Sequence, residues 1–176
     1  MRVLVAAASR HESTAEVAEQ IARALSGAGH DVVRLRVEEV VDVTGYDAVV
    51  VGSAIYYGRW LRAALGLVEA HQAALARLPL WLFSVGALVD DAPAAAPPPL
   101  VAEVVRRTAA RGHRSFRGAL AAERLGWRER LAVLLVRAPY GDFRDWAAVR
   151  AWAETIAHAL AEPRVPTLAA APGVTP

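Results

Sequence analysis

The strongest constraint on this chain is an apolar run that does not alternate. Within Tyr46–Gly52, Ala48-Val49-Val50-Val51 is apolar at every position, so a strand formed from it must be covered on both faces. Val3–Ala8 reads the same way, as does Leu80–Val85, which Pro79 introduces. Strands covered on both faces belong to a parallel sheet, whose neighbours must be joined by crossovers of helical size.

The sequence places such a crossover after each strand. Ser13 to Ala28 reads as a helix, with Val17, Ile21, Leu25 and Ala28 on one stripe and Glu16, Glu19, Gln20 and Arg23 facing away. Ser13-Thr14-Ala15-Glu16 is a capping-box pattern at its start, and Gly27 and Gly29 mark its end. Asp31–Val37 is a second strand, Arg59–Leu75 a helix, and Pro97-Pro98-Pro99 opens another helix reaching about Arg111. Ser115–Leu120 is the fifth strand. Asp145 caps a last helix whose stripe is Trp146, Val149, Ala153, Ile156 and Leu160. Five strands alternating with helices make an α/β doubly wound three-layer α/β/α sandwich over residues 1–161. From Glu162 the composition turns to proline, alanine and threonine, so 162–176 is expected to be a disordered tail.

Composition narrows the function classes. The 176 residues suit one domain, and alanine supplies much of the 55% apolar fraction. No apolar run nears the ~20 residues that span a bilayer. The N-terminus leads from Arg2 into a strand and lacks the apolar region of a signal peptide. With no cysteine, disulfides, thiolate metal sites and cysteine nucleophiles are excluded, and cytoplasmic residence is expected. Net charge is only +2, and all 20 basic residues are arginine. Lacking lysine, the chain cannot work as an ordinary P-loop NTPase or phospho-receiver domain. Arg106-Arg107 and the arginines of 111–117 read as solvated surface. Without interleaved aromatics, no nucleic-acid partner is expected. His30, His71, His113 and His158 are scattered without ligand spacing, so they read as surface or edge residues and no metal site is expected.

In a doubly wound sheet the ligand lies beyond the carboxyl ends of the strands, which directs attention to three loops. The first, Ser9-Arg10-His11-Glu12-Ser13-Thr14, leaves a buried strand and opens a helix. Its N–H groups, the positive helix end and the hydroxyls of Ser9, Ser13 and Thr14 suit a phosphate, although Ser13 at a helix start also reads as a simple cap. The spaced glycines of a dinucleotide site are missing, which favours a mononucleotide. The second loop, Ser53-Ala54-Ile55-Tyr56-Tyr57-Gly58, lies between Gly52 and Arg59-Trp60. Small residues here admit close approach to a ring, and the aromatics offer stacking faces. Tyr57 is the first choice for stacking, while Trp60 suits packing under its helix. The third loop, Ser84-Val85-Gly86-Ala87, offers main-chain groups to a ring edge.

On these residues the chain resembles the flavodoxin superfamily, and within it the menaquinone-dependent protoporphyrinogen dehydrogenase branch. The resemblance rests on Val3-Leu4-Val5 leading to Ser9–Thr14, on Tyr46–Gly58, on Phe83-Ser84-Val85, and on the helix from Asp145-Trp146 to Ile156-Ala157-His158. It covers about residues 1–161. It implies a five-stranded parallel sheet in the order 2-1-3-4-5, and non-covalent FMN with its phosphate in the first loop and its isoalloxazine between the second and third. It also implies an oxidoreductase of haem biosynthesis, with a porphyrinogen-like substrate and a quinone acceptor. No side chain is assigned as acid or base.

Glu12 stands where that family usually has glycine. A carboxylate ~5 Å from a phosphate charge would cost about 3 kcal/mol at an effective dielectric near 20, and glutamate is ill suited to a positive φ. Leu125–Arg137 breaks the regular pattern, with Arg124, Arg128 and Arg130 leading into Leu131-Ala132-Val133-Leu134-Leu135-Val136. The resemblance implies a peripheral contact with membrane or quinone at the inner face of the membrane; a cover for the sheet edge or a homodimer contact is the alternative. Three functions stand at this point: an FMN oxidoreductase, a flavodoxin-like electron carrier, and a flavin-free binding module. The mildly basic charge counts against the carrier, and Glu12 keeps the module in play.

Overall fold

The computed structural model describes residues 1–86, 92, 96–120 and 140–162. The elements are β1 (Arg2–Ala8), α1 (Ser13–Gly27), β2 (Asp31–Arg36), β3 (Ala48–Tyr56), β4 (Arg59–Trp60), α2 (Arg62–Ala70), α3 (Gln72–Leu75), β5 (Leu80–Gly86), α4 (Pro99–Thr108), β6 (Gly112–Arg117), β7 (Ala119–Leu120), β8 (Gly141–Asp142) and α5 (Trp146–Ala161). The central sheet runs β2-β1-β3-β5-β6, every pair parallel. With the two-residue β4 set aside, this is the expected order 2-1-3-4-5.

Each face of the sheet has its own core, as fully apolar strands require. On one side Val3, Val5, Val50, Phe83 and Phe116 pack against Val17, Ile21 and Leu25 of α1 and Val149, Ala153 and Ile156 of α5. On the other, Leu4, Val49, Val51, Leu80 and Leu82 meet Ala64, Leu67 and Val68 of α2, Leu75 of α3, and Val101 and Val104 of α4. Asp145 caps α5 as expected, its Oδ1 accepting the Ala148 N–H at 3.0 Å.

Several boundaries differ from the expectation, each for a local reason. The helix expected over Arg59–Leu75 begins only at Arg62, because Arg59–Trp60 folds back on the end of β3, pairing Tyr56 with Arg59 and Ile55 with Trp60. It also breaks at His71, although its stripe stays buried through Leu67, Val68 and Leu75. The strand expected over Tyr46–Gly52 begins at Ala48 and continues to Tyr56, held by β5 as far as Ala54 and then by β4. The helix expected from Pro97 begins at Pro99 and ends at Thr108, where Ala109 takes φ 50. Pro99 at the first helical position keeps the residue before it extended.

The fifth strand also differs. Expected at Ser115–Leu120, it begins at Gly112; its polar residues His113 and Arg114 are tolerated because β6 is an edge. Ala119–Leu120 is a separate strand, paired with Gly141–Asp142. That small ladder sets Leu120 opposite Gly141. Leu125–Arg137 itself lies outside the described residues, as does the tail beyond Glu162.

Candidate functional site

The loops after β1 and β3 and the end of β5 lie side by side at the carboxyl edge of the sheet, because β1, β3 and β5 are adjacent and parallel. Ser9 is half-buried, Arg10 and Glu12 are exposed, and Ser13 and Thr14 are buried. Tyr56 of the second loop joins the first two loops. The Arg10 guanidinium lies 5.3 Å from its ring centroid, and the His11 ring meets it edge-on at 6.3 Å.

The capping box expected at Ser13–Glu16 is not formed. Helix α1 begins one residue earlier than that pattern requires, with Glu12 in the cap position at φ 65 and no side-chain cap hydrogen bond. The Ser13 N–H donates to His11 O at 2.8 Å, a tight turn about Glu12. The Ser13 hydroxyl oxygen accepts instead from the Ala119 N–H at 2.9 Å. The Glu16 carboxylate goes to Arg144, in an ion pair that also makes a short hydrogen bond. The N–H groups of Thr14 and Ala15 are first-turn donors with no partner one turn earlier. Together with the helix dipole, they leave this end suited to an anion.

The second loop turns on Tyr57 and Gly58, with φ 51 and 72. Two successive positive φ angles across a two-residue connection make the hairpin turn that favours Asn-Gly or Gly-Gly. Tyrosine at the first position is therefore strained, and it is 83% exposed. Two of the three non-glycine residues with positive φ among the described residues, Glu12 and Tyr57, lie in these two loops.

The remaining positions face mostly inward. Ser53 is buried; its Oγ donates to Ala54 O and accepts from Leu61 N at 3.0 Å. Ala54 is buried, while Ile55 and Tyr56 are half-buried and Gly58 is exposed. Gly52 approaches a ring of the protein itself: a Cβ there would lie 1.9 Å from Phe83 Cζ. Ser84 is buried, and its hydroxyl accepts from Trp60 Nε1 at 2.8 Å and meets His113 Nε2 at 2.8 Å. Val85 is buried and Gly86 half-buried; Ala87 lies outside the described residues. Ser53 and Ser84 thus lie wholly inside the sheet, their hydroxyls taken up by partners within the protein.

His113, read from sequence as a surface or edge residue, lies half-buried on the edge strand. Burial pushes its pKa down to about 4, so the ring is neutral near pH 7. Sequence reasoning also missed the residues that close the site from behind. The Gly118 N–H donates to Gly86 O at 3.1 Å, and a Cβ there would crowd Val85 Cγ1 at 3.1 Å and Ser13 Oγ at 3.2 Å. Arg144 grips Asp142 through Nε at 2.7 Å, which holds the Asp142 carboxyl below its usual range. Glycine spacing could have suggested Gly118; nothing local marks Arg144 as a partner of Glu16. Among the described residues, no cluster of histidine and carboxylates could hold a metal ion, and no helix is long and apolar enough to cross a membrane.

With this geometry in place, the family model for the flavodoxin domain matches residues 4–145. A point variant of the flavodoxin from Pseudomonas aeruginosa superimposes with a TM-score of 0.60 at 18% identity, covering 91% of this chain and 99% of that one. A flavodoxin from Streptococcus pneumoniae gives 0.56 at 16% identity, over 90% and 99%. Rubredoxin oxygen:oxidoreductase from Desulfovibrio gigas gives 0.61 at 15% identity, but 90% of this chain spans only 36% of that protein. No curated protein matches significantly.

Proposed function

The chain belongs to the flavodoxin domain family, and from that premise we propose that it binds flavin mononucleotide at the three-loop edge and works as an FMN-dependent oxidoreductase. The observation that carries the reading is an anion-ready helix end next to a second loop whose Tyr56 touches Arg10 and His11 and whose Tyr57 is held out at a strained turn. Strain of this kind persists where the surrounding structure enforces it, commonly at ligand sites.

The residues present fit the group. The N–H groups of Thr14 and Ala15 and the hydroxyls of Ser9 and Thr14 would hold the phosphate, with Arg10, His11, Glu12 and Ser13 shaping the loop. The ring system would rest against Tyr57, with the second loop up to Gly58 on one side and the end of β5 at Gly86 on the other. When bound, FMN supplies one- and two-electron redox chemistry, and the protein supplies position, polarity and access. Within the family, the motifs of the first and second loops favour the protoporphyrinogen dehydrogenase-like branch, with a porphyrinogen-like reductant and a quinone acceptor. A flavodoxin-like electron carrier is the second reading, supported by overlap with flavodoxins over nearly their whole length.

The test is a visible spectrum of the purified protein, followed by titration of the stripped apoprotein with FMN. Flavin absorbance with stoichiometric rebinding is expected, and a colourless protein that ignores FMN would overturn the reading. Oxidation of protoporphyrinogen with menaquinone as acceptor selects the enzyme; reduction of a partner protein alone selects the carrier.

A further inference from the structure

The end of α1 that the FMN reading gives to a phosphate carries two carboxylates of its own, Glu12 and Glu16. Glu16 lies one helical turn in, ~6 Å along the axis, and so within the ~8–10 Å over which charges interact at physiological salt. Its carboxylate is taken up by Arg144, whose side chain is only 10% exposed. Arg144 is fixed from two further sides. It binds Asp142 bidentately, Nε to Oδ1 at 2.7 Å and Nη2 to Oδ2 at 2.6 Å, and its guanidinium carbon lies 4.5 Å from the Trp146 ring centroid. A cation held this way is screened less than a surface arginine. Arg144 lies two residues beyond β8, and the β7–β8 ladder is tied to α1 by the bond from Ala119 N to Ser13 Oγ.

We propose that Arg144 is a specificity-determining positioning residue: by neutralising Glu16 it lets the end of α1 accept a phosphate dianion, so that the site selects phosphorylated over unphosphorylated flavin. The inference rests on the FMN reading. Glu16, Asp142 and Arg144 together carry one net negative charge, and removing the guanidinium makes it two. The phosphate of FMN feels that change; riboflavin, which is neutral, does not.

The experiment measures the affinities of FMN and riboflavin by quenching of flavin fluorescence, at low and high salt. Arg144→Gln is expected to weaken FMN about tenfold while leaving riboflavin within about twofold. The loss should shrink at high salt, and Glu16→Gln/Arg144→Gln should recover most of it. Glu16→Gln alone keeps the arginine on Asp142 and is expected to strengthen FMN severalfold without moving riboflavin, which tests the inference even if Arg144→Gln fails to fold. Equal losses for both flavins, or an unchanged ratio in both single variants, would overturn the inference and leave the FMN reading standing. A wild-type protein that binds neither flavin overturns both.

Discussion

Replacing Glu12 perturbs two physical terms that two variants separate. The residue sits at φ 65, and a left-handed backbone costs an L side chain about 1–2 kcal/mol. Glycine relieves that strain but loses about 0.5–1 kcal/mol through the greater freedom of the unfolded chain. Glu12→Gly should therefore raise stability by about 0.5–1 kcal/mol, or about 2 °C in Tm for a domain of this size. The second term is charge. A carboxylate ~5 Å from a phosphate would oppose it by about 3 kcal/mol at an effective dielectric near 20. Glu12 is exposed, so its side chain can turn to solvent, and about a third of that figure is a fair expectation, roughly fivefold in affinity. Glu12→Gln removes the charge and keeps the strain; Glu12→Gly removes both. FMN should bind about fivefold tighter to each variant, with riboflavin unchanged, and only Glu12→Gly should unfold at higher urea. A Glu12→Gln protein that binds FMN no better than wild type refutes the electrostatic argument. A Glu12→Gly protein less stable than wild type refutes the strain argument.

Three further outcomes follow from the same geometry. Tyr57→Asn suits the left-handed turn position better than tyrosine, so it should raise Tm by about 2–4 °C while weakening flavin binding about tenfold through the lost stacking face; a rise in both would sink the stacking role. Since His113 titrates near 4 in the folded protein and near 6.5 unfolded, its contribution is fully present above about pH 6.5 and falls as pH drops toward 4. The loss reaches about 3 kcal/mol, so urea midpoints of wild type and His113→Gln should converge on acidification, and parallel pH curves would exclude His113 as the cause. Gly52→Ala would drive a methyl into the Phe83 ring, 1.9 Å from Cζ. It should cost about 3 kcal/mol, partly recovered by adding Phe83→Leu, and chemical denaturation without that recovery would place the damage elsewhere.

How much of this was legible before the structure differs by element. The parallel sheet and the helices on both faces could be read because an apolar run such as Val49-Val50-Val51 has a single inexpensive environment, covered on both sides; the strand order comes from the family resemblance. The edge strand was displaced because an edge tolerates polar residues like His113 and Arg114 and so carries no clean pattern. The loop positions were legible as a set from fold rules alone, but the duties of individual side chains were not. Ser13-Thr14-Ala15-Glu16 has the letters of a capping box, yet its serine accepts from Ala119 and its glutamate meets Arg144. Ser84 reads as part of a loop offering its main chain to a ring edge, and its hydroxyl accepts from Trp60 deep in the sheet.

What the sequence alone determined is therefore whatever depends on local periodicity: strands covered twice, amphipathic helices between them, and a helix opening straight from a buried strand. What only the tertiary structure decided is whatever depends on partners distant in the chain, such as the pairing of Glu16 with Arg144 and of Ser84 with His113, and the ring that Gly52 makes room for. The division has a physical basis. Burial periodicity is set by neighbours a few residues away, whereas a polar side chain takes the best partner that folding brings within about 3 Å, and a linear pattern holds no record of that choice.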